Sequence, residues 1–181
     1  MTASPISAAN YLLSLAEDNG VPRSAPIDID AIIRGLGIRV FRIDEDSDLV
    51  GQITKTRDSV QILINERNNL YRPRLRFTLA HEIGHLFLHL SEDGEFRDTP
   101  RTMSRTSSYW DRQEAEANSF AAELLMPSDL LMHEIENFES AYRAHYGFDL
   151  STGALVEEMS RRFEVSNAAM EYRLSNLGLL K

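Results

Sequence analysis

RLRFTLAHEIGHLFLHL, residues 74–90, decides how the rest of the chain is read. At about 100° per residue, its Leu75, Phe77, Leu79, Ile83, Leu86, Phe87, Leu88 and Leu90 cover almost the whole circumference of a helix. One polar stripe remains, made of Thr78, His81, Glu82, His85 and His89. A helix this apolar belongs in the centre of a fold. Its polar stripe must meet partners, a cavity or an ion there, because polar groups are costly to bury unpaired.

Within the stripe, His81-Glu82-Ile83-Gly84-His85 is an H-E-x-x-H pattern. Its two histidines lie about 40° apart around the axis and about 6 Å along it, so both rings can reach one Zn²⁺. Glu82 stands about 100° from His81, where its carboxylate can take a proton from water activated by the ion. Gly84 is expected to keep bulk away from this site. The chain has no cysteine, so any further ligand must be an imidazole or a carboxylate.

Three residues are candidates for a third ligand: His89, Glu114 and Glu116. His89 lies a further turn, about 6 Å, beyond His85 and can hardly share a metal with His81, so it is expected to support a ligating ring or to sit in the core. The two glutamates fall on a second helix, 111–126, about 200° apart. There Ala117, Phe120, Ala121, Leu124 and Leu125 define an apolar face that includes Glu114, while Glu116 lies on the other side beside Glu123. Glu114 is therefore the expected ligand and Glu116 the alternative. Asn118 is placed to orient a ligating histidine. The group that would stabilise an oxyanion stays open among Tyr71, Tyr109, His89 and His145.

Working outward, 6–16 has helical periodicity and stops at Asn19-Gly20, and a short helix follows at 29–36. Three β-rich runs, 38–43, 49–54 and 60–65, predict a small antiparallel sheet, with 60–65 as an edge strand beside the site. Residues 91–108, polar and containing Gly94 and Pro100, read as a loop that gates the site. Helices are expected at 129–146, 153–163 and 166–177. The expected organisation is α+β: residues 1–148 form one domain around the central helix, and 149–181 form a helical pair, helix-turn-helix-like, packed on it.

The stretches 76–89, RFTLAHEIGHLFLH, and 114–127, EAEANSFAAELLMP, resemble the two signature segments of ImmA/IrrE-type metallopeptidases. The resemblance extends to ILIN at 62–65 and to FEVSNAAMEYRLSNLGLL at 163–180, and so covers most of the chain. It implies a zincin-like metallopeptidase fold, with one Zn²⁺ per chain and a third ligand that opens a Glu-x-x-x-Asp/Asn pattern, as Glu114 and Asn118 do. It also implies a protein substrate, a helix-turn-helix repressor cut in a stress or mobile-element response.

Composition narrows the alternatives. With 19 basic and 28 acidic residues the net charge is −9, which opposes a large phosphate-binding surface and makes nucleic acid an unexpected partner. A DNA-binding reading of the closing helical pair is weak, since its second helix offers only Arg173 as a cation. A zinc-stabilised module that binds a repressor, or a toxin-antitoxin component, without cutting anything is the other rival. The need for a general base at Glu82 argues against it. No basic and apolar leader opens the chain, and no segment nears the roughly 18 apolar residues of a membrane span, so a cytoplasmic protein without membrane contact is expected.

Overall fold

The computed structural model describes residues 4–99 and 112–180. Helix α1 (Pro5–Asp18) is capped by the Ser4 hydroxyl, with Pro5 in its first turn, and α2 (Ile29–Gly35) is capped by the Asp28 carboxylate. Gly37 follows at φ 67°, a left-handed conformation that turns the chain into the sheet without side-chain strain. Strands β1 (Arg39–Ile43), β2 (Gly51–Thr56) and β3 (Ser59–Asn65) lead to the central helix α3 (Arg72–Leu88). After α3 come strand β4 (Gly94–Asp98), then helices α4 (Arg112–Leu125), α5 (Ser128–Tyr146), α6 (Thr152–Phe163) and α7 (Asn167–Asn176). The architecture is mixed α+β, with seven helices and one four-stranded sheet among the described residues.

The sheet departs from the expected antiparallel one. Its order is β1-β3-β2-β4, and β1 runs parallel to β3, while β2 is antiparallel to both β3 and β4. β2 and β3 form a tight hairpin, and the connection 44–50 is long enough to step across one strand and leave β3 between β1 and β2. Three asparagines around the start of α3 hold that crossing. Asn65 donates to the Glu45 carbonyl at 2.9 Å, Asn68 to the Leu49 carbonyl at 2.6 Å and Asn69 to the Val50 carbonyl at 2.9 Å. The run 60–65 is accordingly an interior strand. The edge nearest α3 belongs to β4, which lies inside the stretch read from sequence as a loop; residues 100–108 of that stretch lie outside the described residues.

α3 packs on α4, α1 and the inner face of β2. The core is one cluster running from Leu12 and Ile32 through Ile53, Ile62, Ile83, Phe120 and Leu124 to Met159, Phe163, Met170 and Leu174. Gly84 permits a close approach of α3 to α4 within it. A β-carbon there would lie 3.1 Å from the Ala117 Cα and 3.2 Å from the Ala117 carbonyl oxygen, so this glycine serves the α3–α4 contact and not the site, as sequence had suggested. Arg173 of α7 is buried. It donates to the Met126 carbonyl at 3.0 and 3.2 Å and pairs with Glu123 of α4, which ties the C-terminal helices to the helix behind the site. Glu123 is thus inside the protein and not on the solvent side with Glu116. No described helix is long and apolar enough to cross a membrane.

Candidate metal centre

α3, β4 and α4 each bring a side chain to one point. His81 and His85 of α3, Asp98 of β4 and Glu114 of α4 place their ligand atoms within 4.8 Å of one another, all four residues buried. The Nε2 atoms of His81 and His85 are 2.9 Å apart. His81 Nε2 lies 2.9 Å from Asp98 Oδ2 and 3.2 Å from Glu114 Oε2, and His85 Nε2 lies 3.4 Å from Glu114 Oε1 and 3.9 Å from Asp98 Oδ2. Donors bound tetrahedrally to one Zn²⁺ at their usual bond lengths lie roughly 3.3 Å from each other, so this spacing suits such an ion.

The far sides of both rings are held. His81 Nδ1 meets the Asn118 side-chain oxygen at 3.1 Å, one turn along α4 from Glu114. His85 Nδ1 meets His89 Nδ1 at 3.1 Å, and His89 Nε2 meets Glu116 Oε2 at 3.2 Å, with Arg112 closing the chain on Glu116 at 2.7 Å. Glu116 is therefore outside the centre, on the solvent side of His89. Phe96 of β4 stacks on His85, with ring centroids 4.3 Å apart and planes 16° from parallel. Of the groups considered for an oxyanion, Tyr71 is exposed at the start of α3, His145 packs on Tyr146 at the end of α5, and Tyr109 lies outside the described residues. Among the described candidates, only His89 is next to the centre.

Charge is unbalanced here. Burial alone would lower the His81 imidazole, but the carboxylates of Asp98 and Glu114 outweigh it and raise its pKa to about 10. Burial opposes ionisation of Glu114 too, yet the imidazoles of His81 and His85 bring it down to about 2. Glu82 is fully buried, and burial together with the Asp98 charge holds its carboxyl well above the usual carboxylate range. Among the described residues, neither oxygen of Glu82 or of Asp98, nor Oε2 of Glu114, has an oriented hydrogen bond. Three buried carboxylates with orphaned oxygens around two imidazoles form a donor set that fits a divalent cation.

The comparisons with known proteins agree with this chemistry. Residues 33–175, most of the chain, match the family model described as the IrrE N-terminal-like domain, a peptidase family. The chain belongs to that family. It is also 32% identical over 104 residues to an uncharacterized immunity region protein 2 of Bacillus phage phi105, a stretch covering 58% of this chain and 61% of that protein. The chain thus spans about three-fifths of that relative's length. Family membership supports a metallopeptidase role, and His81, His85, Asp98 and Glu114 form a buried cluster that could hold a metal ion.

Two contributors to the centre escaped the sequence reading. Asp98 was hidden in a polar segment, although Phe96 and Asp98 alternate with Glu95 and Arg97 as the two faces of a strand do. Gly51 is the other. A β-carbon on it would lie 2.2 Å from Glu82 Oε1 and 2.8 Å from Thr78 Cγ2, so the bare backbone at the start of β2 makes room for the Glu82 carboxylate. Only the pairing of β2 over α3 reveals that need.

Proposed function

We propose that this chain is a zinc-dependent endopeptidase whose substrate is a repressor of the helix-turn-helix type, cut in a stress or mobile-element response. The observation that carries the reading is the convergence of His81, His85 and Glu114 with an unpartnered, buried Glu82 beside them. His81, His85 and Glu114 would hold one zinc ion per chain, with Asn118 and His89 fixing the rings from behind. Two imidazoles with carboxylate and no thiolate suit zinc. A zinc ion held there would supply Lewis acidity, acidifying water and polarising a peptide carbonyl.

Glu82 performs the proton transfers. Buried and without another hydrogen-bond partner, its carboxylate would accept the proton of the attacking water beside the bound ion and return it to the departing amine. Gly51 leaves that carboxylate its space, and Phe96 keeps solvent from the face of His85. A repressor substrate rests on the relative's phage immunity region and on the family resemblance. Burial of Arg173 removes the one cation that α7 could offer to DNA, which favours a protein partner over nucleic acid. A cytoplasmic setting with no membrane partner goes with this reading.

Four converging protein donors favour a second reading, in which a closed zinc site shapes a surface that binds a repressor without cutting it. The purified chain incubated with a candidate helix-turn-helix repressor, and analysed by intact mass, separates the two. Cleavage that stops with chelator, and that falls about 10²–10⁴-fold in Glu82→Gln with zinc content unchanged, is expected. A stable complex with uncut repressor in the zinc-loaded protein would establish the binding reading instead.

A further inference from the structure

A catalytic metal centre keeps one position for water or substrate, whereas a structural one is closed by protein. Here β4 closes it. Asp98 adds a fourth donor to the two histidines and Glu114, and Phe96, two residues earlier, covers His85. The same strand lies antiparallel along β2, from Gly51 opposite Asp98 to Lys55 opposite Gly94, and the Val50 amide donates to the Asp98 carbonyl at 2.8 Å. It therefore fills the edge of β2 at the residue, Gly51, against which Glu82 lies. An extended backbone on β2, an aromatic ring over a ligand and an oxygen donor at the centre are what a bound peptide would present.

β4 and α4 are held very differently. α4 is anchored by Ala117, Phe120, Ala121, Leu124 and Leu125, all buried, so Glu114 cannot withdraw without opening the core. β4 is five residues long and, among the described residues, pairs on one side only. It exposes Glu95 and Arg97 and half-buries Phe96. Among the described residues, the Asp98 carboxylate meets the imidazoles of His81 and His85 and has no oriented hydrogen bond. A permanently closed site would also leave the buried Glu82 carboxylate without a role.

We propose that β4 is an internal pseudosubstrate: Asp98 closes the metal centre while the strand occupies the β2 edge, and an extended segment of the substrate protein must displace both. The proposal rests on the metallopeptidase reading above. Displacement exchanges one set of main-chain hydrogen bonds on β2 for another, and it frees the position that Asp98 holds for an oxygen of the incoming peptide. Substrates able to offer an unpaired extended segment are thereby selected over compact ones.

The test uses the full chain loaded with Co²⁺, with acetohydroxamate as the probe and the visible absorption of the ion as the readout. Thr54 and Glu95 face each other across β2 and β4, at the spacing a disulfide spans, and the chain has no cysteine of its own. Thr54→Cys combined with Glu95→Cys therefore staples the strand. Asp98→Ala should bind the probe at least about tenfold more tightly than the unsubstituted chain. The oxidised staple should show no spectral change with probe, and reduction should restore the response of the unsubstituted chain. Equal probe binding by oxidised and reduced staple overturns the proposal alone, as does an Asp98→Ala variant that binds no tighter or that loses Co²⁺ altogether. Failure of the unsubstituted chain to take up Co²⁺ overturns the metal-site reading, and this proposal with it.

Discussion

Glu114 and Glu123 lie on opposite sides of one helix, and both are buried. Glu123 is surrounded by donors of the protein itself: Arg173, the Asn10 amide at 3.2 Å, and the Ser128 amide and hydroxyl at 3.3 Å. Glu114 shares its pocket with two more acids, Glu82 and Asp98, and the orphaned oxygens there exceed what His81 and His85 can satisfy. The first arrangement is complete within the chain and serves the fold. The second is incomplete and calls for a cation from outside. Burial of a carboxylate therefore says little about its role until its partners are counted.

The sharpest way to break this contrast is to remove the centre's own ligands. His81→Ala or His85→Ala should abolish stoichiometric zinc, measured by elemental analysis, and chelator should then no longer lower the Tm. Retention of one zinc per chain would show that the ion sits elsewhere. The next effect concerns the other side of α4. Glu123→Ala strands Arg173 inside the protein and should cost about 3–5 kcal/mol, a fall in Tm of roughly 10 °C, with zinc content unchanged in denaturation and metal assays. Zinc loss in that variant would mean that the two sites are one coupled network.

A smaller effect separates neighbours on the helix. Glu114→Ala should weaken zinc binding at least about tenfold in a competition assay, and Glu116→Ala, whose carboxylate meets Arg112 and His89, by no more than about threefold. The reverse order would move the third ligand to Glu116. The smallest effect is protonic. In the metal-free protein the carboxylates around His81 raise its pKa to about 10 and burial raises Glu82, so zinc binding near pH 7 should release at least one proton, seen by calorimetry in buffers of differing ionisation enthalpy. Because the His81 pKa is raised from 6.5 on folding, its contribution to the stability of the metal-free protein is complete below pH 6.5 and is lost as the pH rises through about 10. Chelator-treated protein should lose Tm across that interval, and His81→Ala should flatten the dependence; an unchanged slope would refute a protonated His81.

Local periodicity made much of the fold legible. The 74–90 pattern predicts α3 to within two residues at each end, the apolar face of 111–126 puts Glu114 inside and Glu116 outside, and Ser166 caps α7 as its hydroxyl suggests. The same reasoning placed Glu123 outside, because a helical wheel ranks faces by the apolar residues around them and cannot know that Arg173, fifty residues on, returns to cover one flank. Strand order was beyond reach for a similar reason. A run of β-formers shows that a strand exists, while its neighbours depend on where the connection 44–50 crosses and on the asparagines that hold it.

What the sequence by itself determined is the chemistry along one helix: the spacing of His81, Glu82 and His85 is set by the helical repeat, which needs no tertiary information. What only the tertiary structure decided is how that chemistry is enclosed. Asp98 comes within reach of His81 and His85, and Gly51 makes room for the Glu82 carboxylate, only because β4 pairs with β2 over α3. Strand pairing joins residues through hydrogen bonds between backbones, so the alternation of Phe96 and Asp98 with Glu95 and Arg97 can mark a strand, but it cannot tell that β2 is its neighbour.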